Sequence, residues 1–229
     1  MNKSEYVFNY LYVWPYLKST NSALCNSQET SQAEFEIDEV SLKAMATQLN
    51  SVGLYRDDTG QYKADDMISI YSIHRLEILH HETSSYFECS DRSKISFDHH
   101  EGLFRALSIL KTIADTFFYA LVELFGDLKV FYTQAAEEFF VKHQIRIQSK
   151  FEKREELINV ITFFWSMKSL LEKTASILFK LQEQHKRKFS SYRFFNSPSE
   201  TLETIANPCI LKLTEDDKIG MHLLGPFFT

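Results

Sequence analysis

Apolar residues recur in alternating steps of four and three along two long stretches of this chain, and no proline interrupts either one. The first stretch holds Leu103, Leu107, Leu110, Ala114, Phe117, Leu121, Leu124, Leu128, Phe131 and Ala135. The second holds Leu157, Val160, Phe164, Met167, Leu171, Thr174, Leu178 and Leu181. That spacing keeps one stripe turned toward one neighbour, as on a helix packed along another helix. It predicts a mainly α fold built on a long antiparallel helical hairpin or bundle over residues 99–190. Each arm would run about 60 Å for about 40 residues.

A smaller module is expected ahead of the hairpin, over residues 1–98. Its reading begins with a helix from about Glu5 to Lys18, ended or kinked at Pro15. A polar loop follows over 19–32, then a short extended piece over 34–37. Asp38 is placed to cap a helix from Glu39 to Asn50. That helix stops near Gly53, and Asp57-Asp58-Thr59-Gly60 reads as the turn of a β-hairpin. A further helix is expected from Asp65 to about Tyr86, with Met67, Ile70, Ile73, Leu76, Ile78 and Leu79 on its apolar face. Beyond the hairpin, residues 191–229 read as a C-terminal packing segment with Pro198, Pro208 and an apolar Phe227-Phe228 end.

Helix, Gly-Leu and acidic hairpin over about Phe35 to Ala64 resemble the last helix and wing of a winged-helix domain. The resemblance implies either reading of duplex DNA or docking to protein. Lys43 stands against Glu39, Asp57 and Asp58, and phosphate contact needs several unopposed cations, so protein docking is the expected use. A winged-helix-like module beside long helices is similar in plan to accessory subunits of SMC-type DNA machines, including those of phage defence. That similarity implies a larger partner subunit, such as an ATPase or a nuclease, and a DNA-associated assembly.

The chain has twenty Phe and eleven Tyr, bulky rings suited to wide helix contacts and partner surfaces. Phe118, Phe125 and Tyr132 recur at sevens and predict a second face on the first long helix. With Phe227 and Phe228 they are the expected partner-binding residues, and a second copy of the chain is one such partner. Cys25, Cys89 and Cys209 are far apart and odd in number, which implies no disulfide framework and a reducing, cytoplasmic setting. No run reaches the roughly 18 to 20 apolar residues of a membrane span, so no membrane partner is expected.

The net charge of −6 conceals an asymmetry. Residues 141–193 carry twelve Lys and Arg against five Glu, a local +7, and the remainder carries thirteen against twenty-six, or −13. At the end of the second helix, Lys186, Arg187, Lys188 and Arg193 mingle with Phe189, Tyr192 and Phe194. Cations interleaved with rings suit weak nucleic-acid contact, so these four are the candidate nucleic-acid-binding residues.

Catalytic signals are sparse. Arg75 and His80 have the spacing that resembles the paired arginine and histidine of HEPN ribonucleases, a family of dimeric helical bundles. That resemblance implies an alternative function, RNA cleavage, with Arg75 stabilising charge and His80 moving a proton. Glu77-x-x-His80 has the local spacing of a di-iron ligand pair but lacks the second copy such a site needs. No glycine-rich phosphate loop or nucleophile elbow is present. The sequence therefore predicts a non-catalytic structural or regulatory subunit acting through protein contacts, with no cofactor and no bound metal.

Overall fold

In a computed structural model the chain is described over residues 3–27, 32–53, 63–84, 91–135, 154–192, 200–211, 213 and 215–219. Helix α1 (Lys3–Phe8) runs through a π-helical segment (Asn9–Val13) into α2 (Trp14–Ser27). Strand β1 (Ala33–Ser41), helix α3 (Lys43–Ser51), and strands β2 (Lys63–Ile70) and β3 (Leu76–Thr83) follow. Helix α4 (Arg92–Thr116), the short α5 (Val122–Gly126) and strand β4 (Phe131–Ala135) come next. The long α6 (Arg154–Tyr192), the single turn α7 (Leu202–Ile205) and a 3₁₀ turn (Glu215–Lys218) complete the described elements.

The fold is mixed α/β, which corrects the mainly α expectation. A four-stranded sheet runs in the order β1-β2-β3-β4. The first three strands form an antiparallel meander, and β4 lies parallel to β3, with Leu79 opposite Phe131 and Thr83 opposite Ala135. Parallel neighbours need a crossover connection, and α4 supplies it. The boundary drawn at residue 98 falls inside this helix, and β4, from the segment read as hairpin, joins the sheet begun by the segment before it.

The expected helix over Asp65 to Tyr86 is the β2–β3 hairpin. Every residue of β3 is buried, as are the last five of β2. Strands covered on both faces lose polar alternation and read as apolar runs that periodicity cannot tell from helix. The turn carries no glycine or proline; His74 and Arg75 adopt φ of 54° and 55° instead, so the usual hairpin signal is missing. The expected helix from Glu39 to Asn50 begins later, at Lys43, because residues through Ser41 belong to β1. Asp38 and Glu39 take φ of 73° and 57° where the β1–β2 register slips. Asp38 therefore makes a bulge rather than a cap. The cap of α3 is Glu77 from β3, whose carboxylate accepts from Lys43 N at 2.7 Å and Ala44 N at 3.1 Å, satisfying orphan donors at the helix start.

The winged-helix-like plan is replaced with the rest of that fold class. Lys63, read as part of the wing, begins β2 and pairs with Ser41 of β1; the expected turn at Gly60 lies outside the described residues. The first helix does not end at Pro15. Its missing N–H falls just after the π-helical segment, which loosens the ladder there, and the helix goes on through what was read as a loop.

The first long seam is broken as well. Phe117, 1% exposed, turns into the core, and the helix stops at Thr116. The amide groups released there are taken by α6: Tyr119 N donates to His185 Nδ1 at 3.3 Å, and Leu121 N to Gln184 Oε1 at 3.1 Å. Leu202 N closes the same turn by donating to Phe118 O. Phe118, Phe125 and Tyr132 thus lie on a turn, on α5 and on β4, and the common helical face that grouped them does not exist. The second seam does form one helix, with Val160, Met167, Leu171, Ala175, Leu178 and Leu181 buried.

Leu178 is fully buried, whereas Leu121 is 42% exposed at the start of α5. Leu178→Ala should cost about 2 to 5 kcal/mol as a buried truncation. Leu121→Ala should cost under about 0.5 kcal/mol as a surface change. Urea unfolding of the two variants checks both values.

Candidate functional site

The polar residues of this fold gather where α4 crosses the sheet. Continuing the strand register from Asp66 opposite His81 sets Asp65 beside Glu82, and His80 and Glu82 share a face of β3 by alternation. Tyr132 and Gln134 are their partners on β4. From α4, the side chains of Lys94, Asp98, Glu101 and Arg105 recur at steps of three and four, so one helical stripe looks down on this face.

Arg105 is the central cation. It is 4% exposed and ion-paired to both Glu82 and, at 2.9 Å, Glu101. Burial works to lower its pKa, but the two carboxylates outweigh that and raise it. Burial drives Glu82 well above the usual carboxylate range against the pull of Arg105. Beside this pair, His80 stacks on Tyr132 with centroids 4.9 Å apart. The ring nitrogen Nε2 lies 3.0 Å from Gly102 O. A carbonyl only accepts, so Nε2 carries the hydrogen and Nδ1 keeps its lone pair, buried and unpartnered. Burial, with the Arg105 charge second, lowers the His80 pKa to about 3, so the ring is neutral. Tyr132 OH donates to Asp98 O at 2.9 Å. Gly102 permits this packing: a Cβ there would lie 2.3 Å from Tyr132 Cζ.

A second group lies toward the carboxyl ends of β3 and β4. Lys94 Nζ donates to Thr83 O at 3.1 Å and pairs with Glu5 of α1 at 3.5 Å. Its pKa is raised because Asp98, Glu5 and Asp65 outweigh its desolvation. Burial lifts Asp98 to about 6, partly offset by a hydrogen bond from Ser84, and its Oδ2 has no partner. Asp65 Oδ2 accepts from Thr83 N at 2.7 Å, and burial raises its pKa too. Gln134 Nε2 donates to Ser84 Oγ and Ile95 O. Chemically this is a buried carboxylate-rich cluster around one ammonium, at the carboxyl ends of the parallel pair β3 and β4. Among the described residues no three His, Cys, Asp or Glu side chains are placed to hold one metal ion.

Most of the sequence candidates lie elsewhere. Arg75 sits in the β2–β3 turn and pairs with Glu34 and Glu36 of β1 at 3.0 and 3.1 Å. His80 is five residues along a strand, roughly 16 Å of chain away, and packs under α4. The two are not brought together. Lys186, Arg187 and Lys188 lie in the last two turns of α6; Arg193, Phe227 and Phe228 lie outside the described residues. Phe118 packs on His185, Phe125 against the core and Tyr132 inside the crossover. Glu82 and Asp98 stand near the histidines in the sequence, but no short motif joins them to Asp65, Lys94 and Arg105. The available signal was acid placed inside apolar strand runs, as in Ile78-Leu79-His80-His81-Glu82.

No family model, curated protein or solved structure matches the chain.

Gly102→Ala should drive the Tyr132 ring off His80 and cost about 1 to 3 kcal/mol as overpacking, read by chemical denaturation. The pH dependence has two opposed parts. His80 binds its proton only in the unfolded chain between about pH 6.5 and 3, so its contribution is lost as pH falls through that window. Glu77, raised by burial to about 7, keeps its proton in the fold above 4.5, so stability is lost as pH rises from 4.5 to 7. Below about pH 4.5 His80→Gln should flatten the slope. Between about 4.5 and 6.5, where the two oppose, His80→Gln should leave stability falling as pH rises and Glu77→Gln should leave it rising, each by up to about 1.4 kcal/mol per pH unit. Urea midpoints across pH 4 to 8 test both slopes.

Proposed function

We propose that the chain is a non-catalytic subunit that docks another protein through the first half of α6. Three residues carry this reading: Ile158 is 64% exposed, Ile161 52% and Trp165 66%. At 100° per residue they form one stripe, opposite the buried stripe of Val160, Met167 and Leu171. One half-helix is therefore apolar on both sides, with its inner side spent on the core. A tryptophan and two isoleucines in line are typical anchors of a partner surface. Lys168 Nζ lies 5.1 Å over the Trp165 ring and helps hold its orientation. Tyr16 of α2 stacks on Phe164 at 4.7 Å and braces the helix from its inner side.

Arg105 engages both Glu82 and Glu101, so the carboxylates best placed for chemistry already hold a cation. The occupant we propose is a larger protein subunit, for which the Trp165-centred apolar stripe supplies the anchor.

The tagged chain should co-purify with a stable partner, or sediment as an oligomer if that partner is a second copy. Trp165→Ala and Ile161→Asp should abolish that association while leaving the melting temperature within a few degrees of wild type. Undiminished association in both variants would overturn the docking proposal.

A further inference from the structure

Five rings meet where α6 ends beside the broken first helix. His185 lies 4.6 Å from Phe118, edge to face, and stacks on Tyr119 at 5.7 Å and Phe189 at 5.8 Å. Tyr119 continues to Tyr192 at 5.0 Å. On α6 the three ring positions, 185, 189 and 192, are spaced four and three and make one stripe. Phe189 is 41% exposed. Lys186, Arg187 and Lys188 interleave with this stripe in sequence but not equally in space. At 100° per residue, Lys186 and Lys188 flank it on either side, whereas Arg187 points away, on the side that carries Glu183. Residues 184–192 contain no acid.

We propose that this end of α6 binds single-stranded nucleic acid, with a base stacked on Phe189 at the edge of the ring ladder and phosphates on Lys186 and Lys188. The chemistry is specific to an unpaired strand. A duplex hides its base faces, and an exposed ring between two cations offers a single strand both stacking and charge neutralisation. The ladder also fixes the ring. His185 Nδ1 accepts from Tyr119 N, which uses that nitrogen's lone pair, and burial, then His74, lowers its pKa. Two or three phosphate contacts make a weak, salt-sensitive site.

Fluorescence polarisation with labelled 12-nucleotide single strands of DNA and of RNA tests this on the full chain, with the matching duplex and polyglutamate as competitors. Wild type should bind single strands in preference to duplex at low salt. Lys186→Ala with Lys188→Ala should weaken binding about tenfold or more and flatten the log–log salt slope by about 1.4. Phe189→Ala should weaken it about fivefold or more with little change in that slope. Arg187→Ala should stay within about twofold. Circular dichroism melts confirm that each variant folds, and Phe189→Leu serves where Phe189→Ala does not. Preference for one sugar identifies the strand as DNA or RNA. Absence of wild-type binding at low salt overturns the proposal, as does equal affinity for duplex. Equal loss in Arg187→Ala would show undirected charge attraction, and polyglutamate binding untouched by Phe189→Ala would show an acidic protein ligand; either overturns it as well.

Discussion

Arg105 places a full positive charge out of water between the sheet and α4, and the rest of the crossover is arranged to make that tolerable. A buried guanidinium is strongly unfavourable unless carboxylates surround it, and losing either partner leaves an uncompensated charge. Glu82 fixes the register of β3 and Glu101 the rotation of α4, because both must reach the same guanidinium. Gly102, one residue after Glu101, then lets the helix descend until the Tyr132 ring fills the space a methyl group would occupy. His80 completes the layer as a neutral ring, which adds no second positive charge beside Arg105.

α6 is the scaffold on which the other parts meet. Its middle supplies Met167, Leu171, Ala175, Leu178 and Leu181 to the core. Its last turns supply Gln184 and His185 to backbone amides left without helical partners where α4 breaks. That exchange explains why the break is stable: donors released by the turn find acceptors on a helix already fixed by packing. The two proposed contact surfaces lie at opposite ends of the same rod. Ile161 and Lys188 are 27 residues apart, about 40 Å at 1.5 Å per residue, so a protein on one end and a nucleic-acid strand on the other need not compete.

The second apolar seam was legible because α6 is a helix with one buried stripe, and periodicity reports that directly. The outward stripe of Ile158, Ile161 and Trp165 is also written in the spacing, although only burial shows it to be the uncovered side. The first seam misled for an equally physical reason. Leu103 to Ala114 is helical, but the same spacing continues through a turn, a short helix and a strand, since apolar residues that reach one core recur at threes and fours whatever their backbone does. The basic cluster was visible as composition, while its division into two flanking lysines and one averted arginine needed the ring ladder as a reference direction.

The sequence by itself determined the long α6, its core stripe, the charge asymmetry and the scarcity of catalytic motifs, all of which are properties of neighbours within a few turns of chain. Only the tertiary structure decided that residues 63–83 form a strand hairpin, that Glu77 caps a helix 34 residues earlier, and that Asp65, Glu82, Asp98 and Arg105 share one buried cluster. Those outcomes depend on which faces are covered. A strand buried on both faces sheds the alternation that would identify it, and a buried charge is placed by a partner far along the chain rather than by its neighbours.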